Sequence, residues 1–213
     1  MKRWIEIQPT KKLQGSVQIP GSKNSALGLI AATCLSNDTV TLKGVPDLLD
    51  VRTIQSIAEE IGLQMRWVSD SNLFLDPTEI INAQLDPIKT SAFRASYYFV
   101  GALLAKYKRV SIGYPGGDDF GSRPIDQHIK GLKALGAKVE THRDYYVVKA
   151  AELKGTEIFF DVITSGATIN LMLAGTLAKG RTILGNAARD PEVVDVANLL
   201  NKMGAKHSCG EVI

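Results

Sequence analysis

The polarity pattern of the chain alternates two kinds of helix. Ser25 to Leu35 (SALGLIAATCL) is apolar on nearly every side, which predicts a helix buried all round. Val51 to Ile61 differs, with Ile54, Ile57, Ala58 and Ile61 on one face and Arg52, Gln55 and Glu59 opposite, as on a surface helix. Thr39–Leu42 reads as a short strand between them, and Leu63–Val68 with Asn72–Leu75 reads as a hairpin across Ser69-Asp70-Ser71. The order then returns. Arg94 to about Lys106 is apolar all round, Arg109–Gly113 is a strand, and Ile125 to Leu135 is amphipathic through Ile125, Ile129 and Leu132. Lys138–Thr141 and Tyr145–Lys149 make the second hairpin. A third pass brings a strand (Glu157–Phe160), an apolar helix (Thr168–Ala178), a strand (Thr182–Leu184) and an amphipathic helix (Val193–Met203).

Units of about 60–75 residues therefore share one recipe: strand, buried helix, strand, loop, exposed helix, hairpin. Their exposed helices end alike, at Ile61-Gly62-Leu63, Leu135-Gly136-Ala137 and Met203-Gly204-Ala205. Generic α/β alternation predicts neither the buried-then-exposed pair nor the shared terminator. The expectation is an α/β domain, α+β by some schemes, with three buried helices side by side and sheets packed outside them. The units run about 21–76, 88–150 and 153–213, the last stopping where its hairpin should close. The alternating runs Trp4–Gln8 and Ser16–Ile19 read as strands with no partner unit, so the chain reads as part of something larger.

Composition narrows the class without changing this picture. The 45% apolar and 22% charged shares are those of a globular protein, which excludes a disordered chain. A net charge of +3 with no Lys/Arg block gives no support to nucleic-acid binding. No apolar run approaches ~18 residues and no signal-peptide pattern follows Met1, so neither a membrane nor export is expected. Cys34 and Cys209 have no zinc or redox spacing, and Cys34 reads as a buried, inert thiol. A reduced, cytoplasmic setting is the simplest expectation.

The repeat aligns the starts of the buried helices, where Ser22-Lys23-Asn24, Arg94 and Thr164-Ser165-Gly166 stand. Helix N-termini carry unpaired N–H groups and partial positive charge, so with Lys23, Arg94 and Arg123 they point to a phosphorylated ligand. Ordinary capping explains Ser22, Asn24 and Ser165 equally well. No GxGxxG and no P-loop occurs. Tyr114–His128 (YPGGDDFGSRPIDQH) is a Gly/Pro-rich loop carrying acids, a cation and a nearby imidazole. It reads either as a working loop or as a solvated acidic turn.

Several motifs in this order resemble the enolpyruvyl transferases. They are Gly21-Ser22-Lys23-Asn24, Phe93-Arg94-Ala95-Ser96, Pro115-Gly116-Gly117 through Arg123-Pro124-Ile125-Asp126-Gln127-His128, Ser165-Gly166-Ala167-Thr168, and Asn186 through Glu192. The resemblance covers the whole chain. It implies an inside-out α/β barrel of three repeated β-α-β-α-β-β units, one domain of a two-domain fold with ligands in the cleft between domains. Residues 1–20 would then belong to the second domain and 21–213 to the first. The implied reaction transfers the enolpyruvyl group of phosphoenolpyruvate to the 3′-hydroxyl of UDP-N-acetylglucosamine, releasing phosphate in peptidoglycan synthesis. No metal or organic cofactor is implied.

By the same resemblance, Lys23 and Asn24 hold phosphoenolpyruvate. Arg94, Arg123, Pro124, Ile125, Asp126, Gln127, Thr164 and Ser165 bind the uridine sugar nucleotide, with Arg123 also near the transferred phosphate. Asp118 stands where most members carry a loop cysteine, the general acid and the target of fosfomycin. Its carboxyl must be neutral to donate a proton, and it is a poorer nucleophile than a thiolate, so insensitivity to fosfomycin is expected. Val162 and Leu49 stand where some members have lysines. The shikimate-pathway branch remains an alternative, although its KSxSxR start is absent. A non-catalytic anion-binding domain is another, because the remaining site residues of the family lie in a half this chain lacks.

Overall fold

The computed structural model describes residues 4–114, 116 and 124–208. Its elements follow the threefold order. The first unit contains α1 (Lys23–Thr33), β1 (Val40–Lys43), α2 (Leu49–Glu60), β2 (Gln64–Ser69) and β3 (Asn72–Asp76). The second contains α3 (Pro87–Ala92), a 3-10 turn (Arg94–Tyr97), α4 (Tyr98–Tyr107), β4 (Arg109–Gly113), α5 (Asp126–Ala134), β5 (Lys138–Thr141) and β6 (Tyr145–Lys149). The third contains β7 (Glu157–Phe159), α6 (Ser165–Thr176), β8 (Ile183–Gly185) and α7 (Pro191–Lys202).

The all-round apolar helices form the centre. Ala26 to Thr33 of α1, Phe99 to Ala105 of α4 and Ala167 to Ala174 of α6 are almost wholly buried. They pack on one another, α4 touching both α1 and α6. Close approach is made possible by glycine. At Gly101 an added Cβ would sit 2.1 Å from the Asn170 carbonyl oxygen, and at Gly28 it would sit 2.8 Å from Val196. The sheets lie outside. β3 pairs antiparallel with both β1 and β2, and β6 likewise with β4 and β5. An isolated parallel bridge, Gln84 to Ser111, lies beside β4 ahead of the second buried helix. In the third unit β7 and β8 pair in parallel.

The shared terminators are one device used three times. Gly62, Gly136 and Gly204 have φ of +99°, +97° and +101°, backbone that glycine adopts without strain. In each, the glycine N–H bonds the carbonyl three residues back (Glu59, Lys133, Asn201). The next N–H bonds the carbonyl five back (Ala58, Leu132, Leu200), which is the Schellman pattern. Alanine at Gly204 meets open space and is expected to cost about 1 kcal/mol from strain alone. At Gly62 the added carbon lies 2.1 Å from the Glu79 carbonyl, so the loss in urea unfolding should be roughly double or more. Equal losses at the two positions would overturn that ranking.

Some elements depart from the sequence expectation. Trp4–Gln8 and Ser16–Ile19 form no strand here, and their apolar side chains are exposed. Alternation fixes which side chains share a face, but a ladder needs a neighbouring strand, and among the described residues none pairs with them. Helix α3 was not expected. Asp86 caps it by accepting from Ile88 N at 2.7 Å, and Pro87 opens it. The second apolar helix starts as a 3-10 turn, and α6 starts earlier than expected, at Ser165. Helix α5 is rotated relative to its apolar pattern. Gln127 and His128 are buried with Gly131 and Leu132, while Ile125 and Ile129 are only partly buried. Cys34 is fully buried, which pushes its thiol up to about 12 and leaves it inert, as expected. Among the described residues, no helix is long and apolar enough to cross a membrane.

Candidate active site

Helical segments from all three units begin at one open cleft of about 690 Å³, within the size range of ligand pockets. Lys23 opens α1, Arg94 opens the 3-10 turn, Asp126 opens α5, and Thr164 caps α6 by accepting from Ala167 N at 3.5 Å. Every sequence-predicted residue within the described set lines this cleft: Lys23, Asn24, Arg94, Pro124, Ile125, Asp126, Gln127, Thr164 and Ser165. Asp118 and Arg123 lie outside the described residues. Val162 lines the cleft, whereas Leu49 faces solvent on α2.

The cations and donors do not stand bare. Lys23 Nζ lies 2.6 Å from Asp50 Oδ2, and Asn24 Nδ2 donates to Glu192 Oε1 at 3.4 Å. Ser25 donates to Asp195 Oδ2 at 2.6 Å, and Ser165 donates to Asp190. Arg94 Nη2 donates to the Pro124 carbonyl at 3.4 Å, which ties the second unit's helix start to the beginning of α5. The repeat explains the acids. Asp50, Asp126 and Glu192 each sit in the first turn of an amphipathic helix, where a carboxylate complements the helix dipole. The site is therefore a set of helix starts in which a carboxylate holds the Lys23 cation and others accept from the neutral donors Asn24 and Ser165.

Gln127 takes an unexpected part. Its Nδ-equivalent amide, Nε2, donates to Asp126 Oδ2 at 2.7 Å and Asp161 Oδ2 at 3.0 Å, and its Oε1 accepts from Asp161 N at 3.0 Å. Lys130 donates to the other Asp161 oxygen at 2.7 Å and, with Gln127, holds the Asp161 carboxyl below the usual range. The Gln127 side chain thus pins the 161–164 wall of the cleft. His128 is buried, and burial together with the nearby Arg94 charge lowers its pKa to about 4 against the opposing pull of Asp126. It is a neutral imidazole at physiological pH.

The residues that sequence reasoning did not assign to the site are chiefly Asp50, Glu192 and His128. A usable signal existed for the acids, since each follows the turn that starts an amphipathic helix. For His128 the signal was its place as the imidazole at the end of the Tyr114–His128 run, but its buried setting depends on partners far along the chain. Among the described residues, no group of three or more His, Cys, Asp or Glu side chains is placed to hold a metal ion.

A family model described as EPSP synthase (3-phosphoshikimate 1-carboxyvinyltransferase) matches residues 7–209. The chain belongs to this family. The chain is 48% identical over 199 residues to UDP-N-acetylglucosamine 1-carboxyvinyltransferase 2 of Listeria monocytogenes, covering 93% of this chain and 47% of that protein. It is 47% identical over 202 residues to the protein of the same name from Bacillus subtilis, covering 95% and 47% respectively. The chain thus spans about half the length of the curated relatives it matches. Among solved structures, the enolpyruvyl transferase NikO from Streptomyces tendae superposes with a TM-score of 0.79 at 21% identity, over 91% of this chain and 46% of that one. EPSP synthase from Acinetobacter baumannii gives 0.66 at 15% identity, over 84% and 42%. These likenesses concern the fold, which is one domain of the enolpyruvyl transferase architecture.

Proposed function

We propose that this chain forms one wall of an active site that transfers the enolpyruvyl group of phosphoenolpyruvate to the 3′-hydroxyl of UDP-N-acetylglucosamine, the first committed step of peptidoglycan synthesis. The observation that carries this reading is the convergence of Lys23, Arg94 and the starts of α1, α5 and α6 on one cleft. Both substrates are polyanions, and helix starts with paired cations suit them. The relatives' names favour the uridine sugar nucleotide over shikimate 3-phosphate as acceptor. Residues 1–20 are assigned to the second wall, a reading supported by the exposed apolar side chains of Trp4, Ile5, Ile7, Val17 and Ile19. A nucleotide acceptor fits a cytoplasmic setting.

In this reading Lys23 exchanges Asp50 for an anionic group of phosphoenolpyruvate, with Asn24 beside it. Protonation of the methylene carbon and attack of the sugar oxygen on the adjacent carbon give a tetrahedral adduct. Loss of phosphate and of a methyl proton restores the double bond. The positive charge that develops at the substituted carbon is stabilised by the fixed carboxylates around the cleft. Asp118 is assigned the proton donation and Arg123 the phosphate clamp. With Asp in place of a thiol, incubation with fosfomycin should leave no covalent adduct, checked by intact-mass spectrometry.

The test is calorimetric titration of the chain with phosphoenolpyruvate, UDP-N-acetylglucosamine and shikimate 3-phosphate. Binding of the nucleotide and not of shikimate 3-phosphate is expected, and the reverse preference overturns the acceptor assignment. Lys23→Met should weaken phosphoenolpyruvate binding at least about tenfold, the effect of losing a charge-assisted contact. The chain's half-length match to its relatives favours a second reading, ligand binding without turnover. Phosphate release by the chain alone at a full-length rate would remove it, and with it the one-wall proposal.

A further inference from the structure

The chain leaves β4 through Gly113, and the last rung of that strand is closed by side chains in place of a neighbouring strand. On the edge of β4 away from β6, Ser111 is paired by backbone. Its N–H donates to the Ala83 carbonyl and its carbonyl accepts from Leu85 N, each at 2.9 Å. That neighbouring segment then turns into α3 at Asp86 and Pro87, so its backbone stops one rung short of Gly113. Thr90 and Tyr97 complete the rung. The Gly113 N–H donates to Thr90 Oγ1 at 3.1 Å, and the Gly113 carbonyl accepts from the Tyr97 hydroxyl at 3.2 Å.

Each of these groups is itself fixed. Thr90 and Ser96 are fully buried, and Tyr97 is nearly so. The Thr90 hydroxyl donates to the Asp86 carbonyl at 2.7 Å, which leaves its oxygen to face Gly113 as an acceptor. Ser96 Oγ donates to the Thr90 carbonyl at 3.1 Å and joins the 3-10 turn to α3. The Tyr97 carbonyl accepts from Asn170 Nδ2 of α6 at 2.6 Å, and the Tyr146 hydroxyl of β6 donates to the Tyr97 hydroxyl oxygen. Burial raises both phenols, so each stays protonated and able to donate. In a buried chain running from Tyr146 through Tyr97 to the Gly113 carbonyl, each bond polarises and strengthens the next. The exit from the strand also lies tight on α3. An added Cβ would sit 2.3 Å from the Pro87 carbonyl oxygen at Gly113 and 1.8 Å from the Ser91 carbonyl oxygen at Gly116.

We propose that Tyr97 and Thr90 are positioning residues: by closing the last rung of β4 they set where the chain leaves the sheet, and so where the residues it carries next can meet a ligand. The proposal rests on the reading above that assigns Asp118 and Arg123 to phosphoenolpyruvate, since both follow this exit in sequence. Neither hydroxyl touches the ligand in it. Thr90 is held by Asp86 and Gly113, and the Tyr97 hydroxyl by Gly113 and Tyr146.

The test is calorimetric titration of the full chain with phosphoenolpyruvate, in the wild type and in Tyr97→Phe, Thr90→Val and Thr90→Ser, each first shown to be folded by its ¹H–¹⁵N amide spectrum. Tyr97→Phe and Thr90→Val are expected to bind about fivefold more weakly, the effect of one hydrogen bond acting through the backbone. Thr90→Ser, which keeps the acceptor, is expected to bind as the wild type does. A purely structural role would lower stability and leave the affinity of the folded protein unchanged, so wild-type affinity in Tyr97→Phe overturns the proposal. Equal weakening in Thr90→Ser and Thr90→Val also overturns it. If Tyr97→Phe does not fold, the two Thr90 variants decide alone. If the wild type binds no phosphoenolpyruvate, the substrate reading falls, and the ligand-free spectra decide the positioning role. Movement of the amide resonances of residues 116–122 in Tyr97→Phe and Thr90→Val, and not in Thr90→Ser, upholds it, and unmoved resonances there overturn it.

Discussion

Valine at position 101 is expected to cost about 4 kcal/mol of unfolding free energy, the largest loss for a single substitution in the buried helices. Gly101 lies where α4 crosses α6, and its missing side chain is filled by backbone. An added Cβ would be 2.1 Å from the Asn170 carbonyl oxygen and 2.6 Å from Asn170 Oδ1. Both helices are buried on nearly every side, so neither can back away without opening the core elsewhere. Overpacking alone accounts for about 3 kcal/mol at most sites of this kind. The remainder comes from Asn170, which would be pushed off Tyr97 and His128 and leave buried polar groups unpaired. Gly175→Ala is the control. Its added carbon meets the Thr182 side chain at 3.2 Å, which can shift by a few tenths of an ångström. Urea unfolding of the two variants checks the prediction, and a Gly101→Val loss no larger than that of Gly175→Ala would sink it.

Acidification should destabilise the chain between pH 6.5 and about 4, through His128. Its pKa falls from 6.5 to about 4 on folding, because burial and the Arg94 charge disfavour the imidazolium. The unfolded state therefore binds more protons in that window, so stability is fully present above pH 6.5 and is lost as pH falls. The shift corresponds to about 3 kcal/mol. His207 is also lowered by burial and adds in the same direction. The carboxylates held low by partners, Asp47, Asp76, Glu140 and Asp161, begin to lose their contribution as pH falls through their ordinary values near 4, so they add at the acid end of this window in wild type and variant alike and cancel in the comparison. Denaturant unfolding at pH 7 and pH 4.5 should show the loss in the wild type and a much smaller one in His128→Gln. Equal losses in the two proteins would refute the assignment.

Both effects run through contacts between α4, α5 and α6, and these mark where the sequence stopped being legible. The central helices were readable because a helix apolar on every side has no stable place except the interior. The terminators were readable because a left-handed residue followed by an apolar one has few solutions, and glycine supplies the first. The third unit's helix start at Ser165 was misplaced because Thr164 caps it through a weak 3.5 Å bond that periodicity does not register. At the site, matching positions in the repeat put Lys23, Arg94 and Ser165 at equivalent places, and the cleft gathers all three. What the repeat could not show is that Lys23 already has Asp50, Asn24 has Glu192 and Ser165 has Asp190.

The sequence by itself determined the threefold order, the division into buried and exposed helices, and the polar groups standing at each helix start. These are local properties, set by side-chain periodicity and by the backbone preferences of single residues. The tertiary structure decided which of those groups meet. It turned Gln127 and His128 of α5 inward against the apolar pattern, because Gln127 finds Asp161 and His128 finds Asn170. Burying a polar side chain is tolerated only with a partner, and here the partners lie 34 and 42 residues away. No local pattern carries that information, and packing of α5 against α6 supplies it.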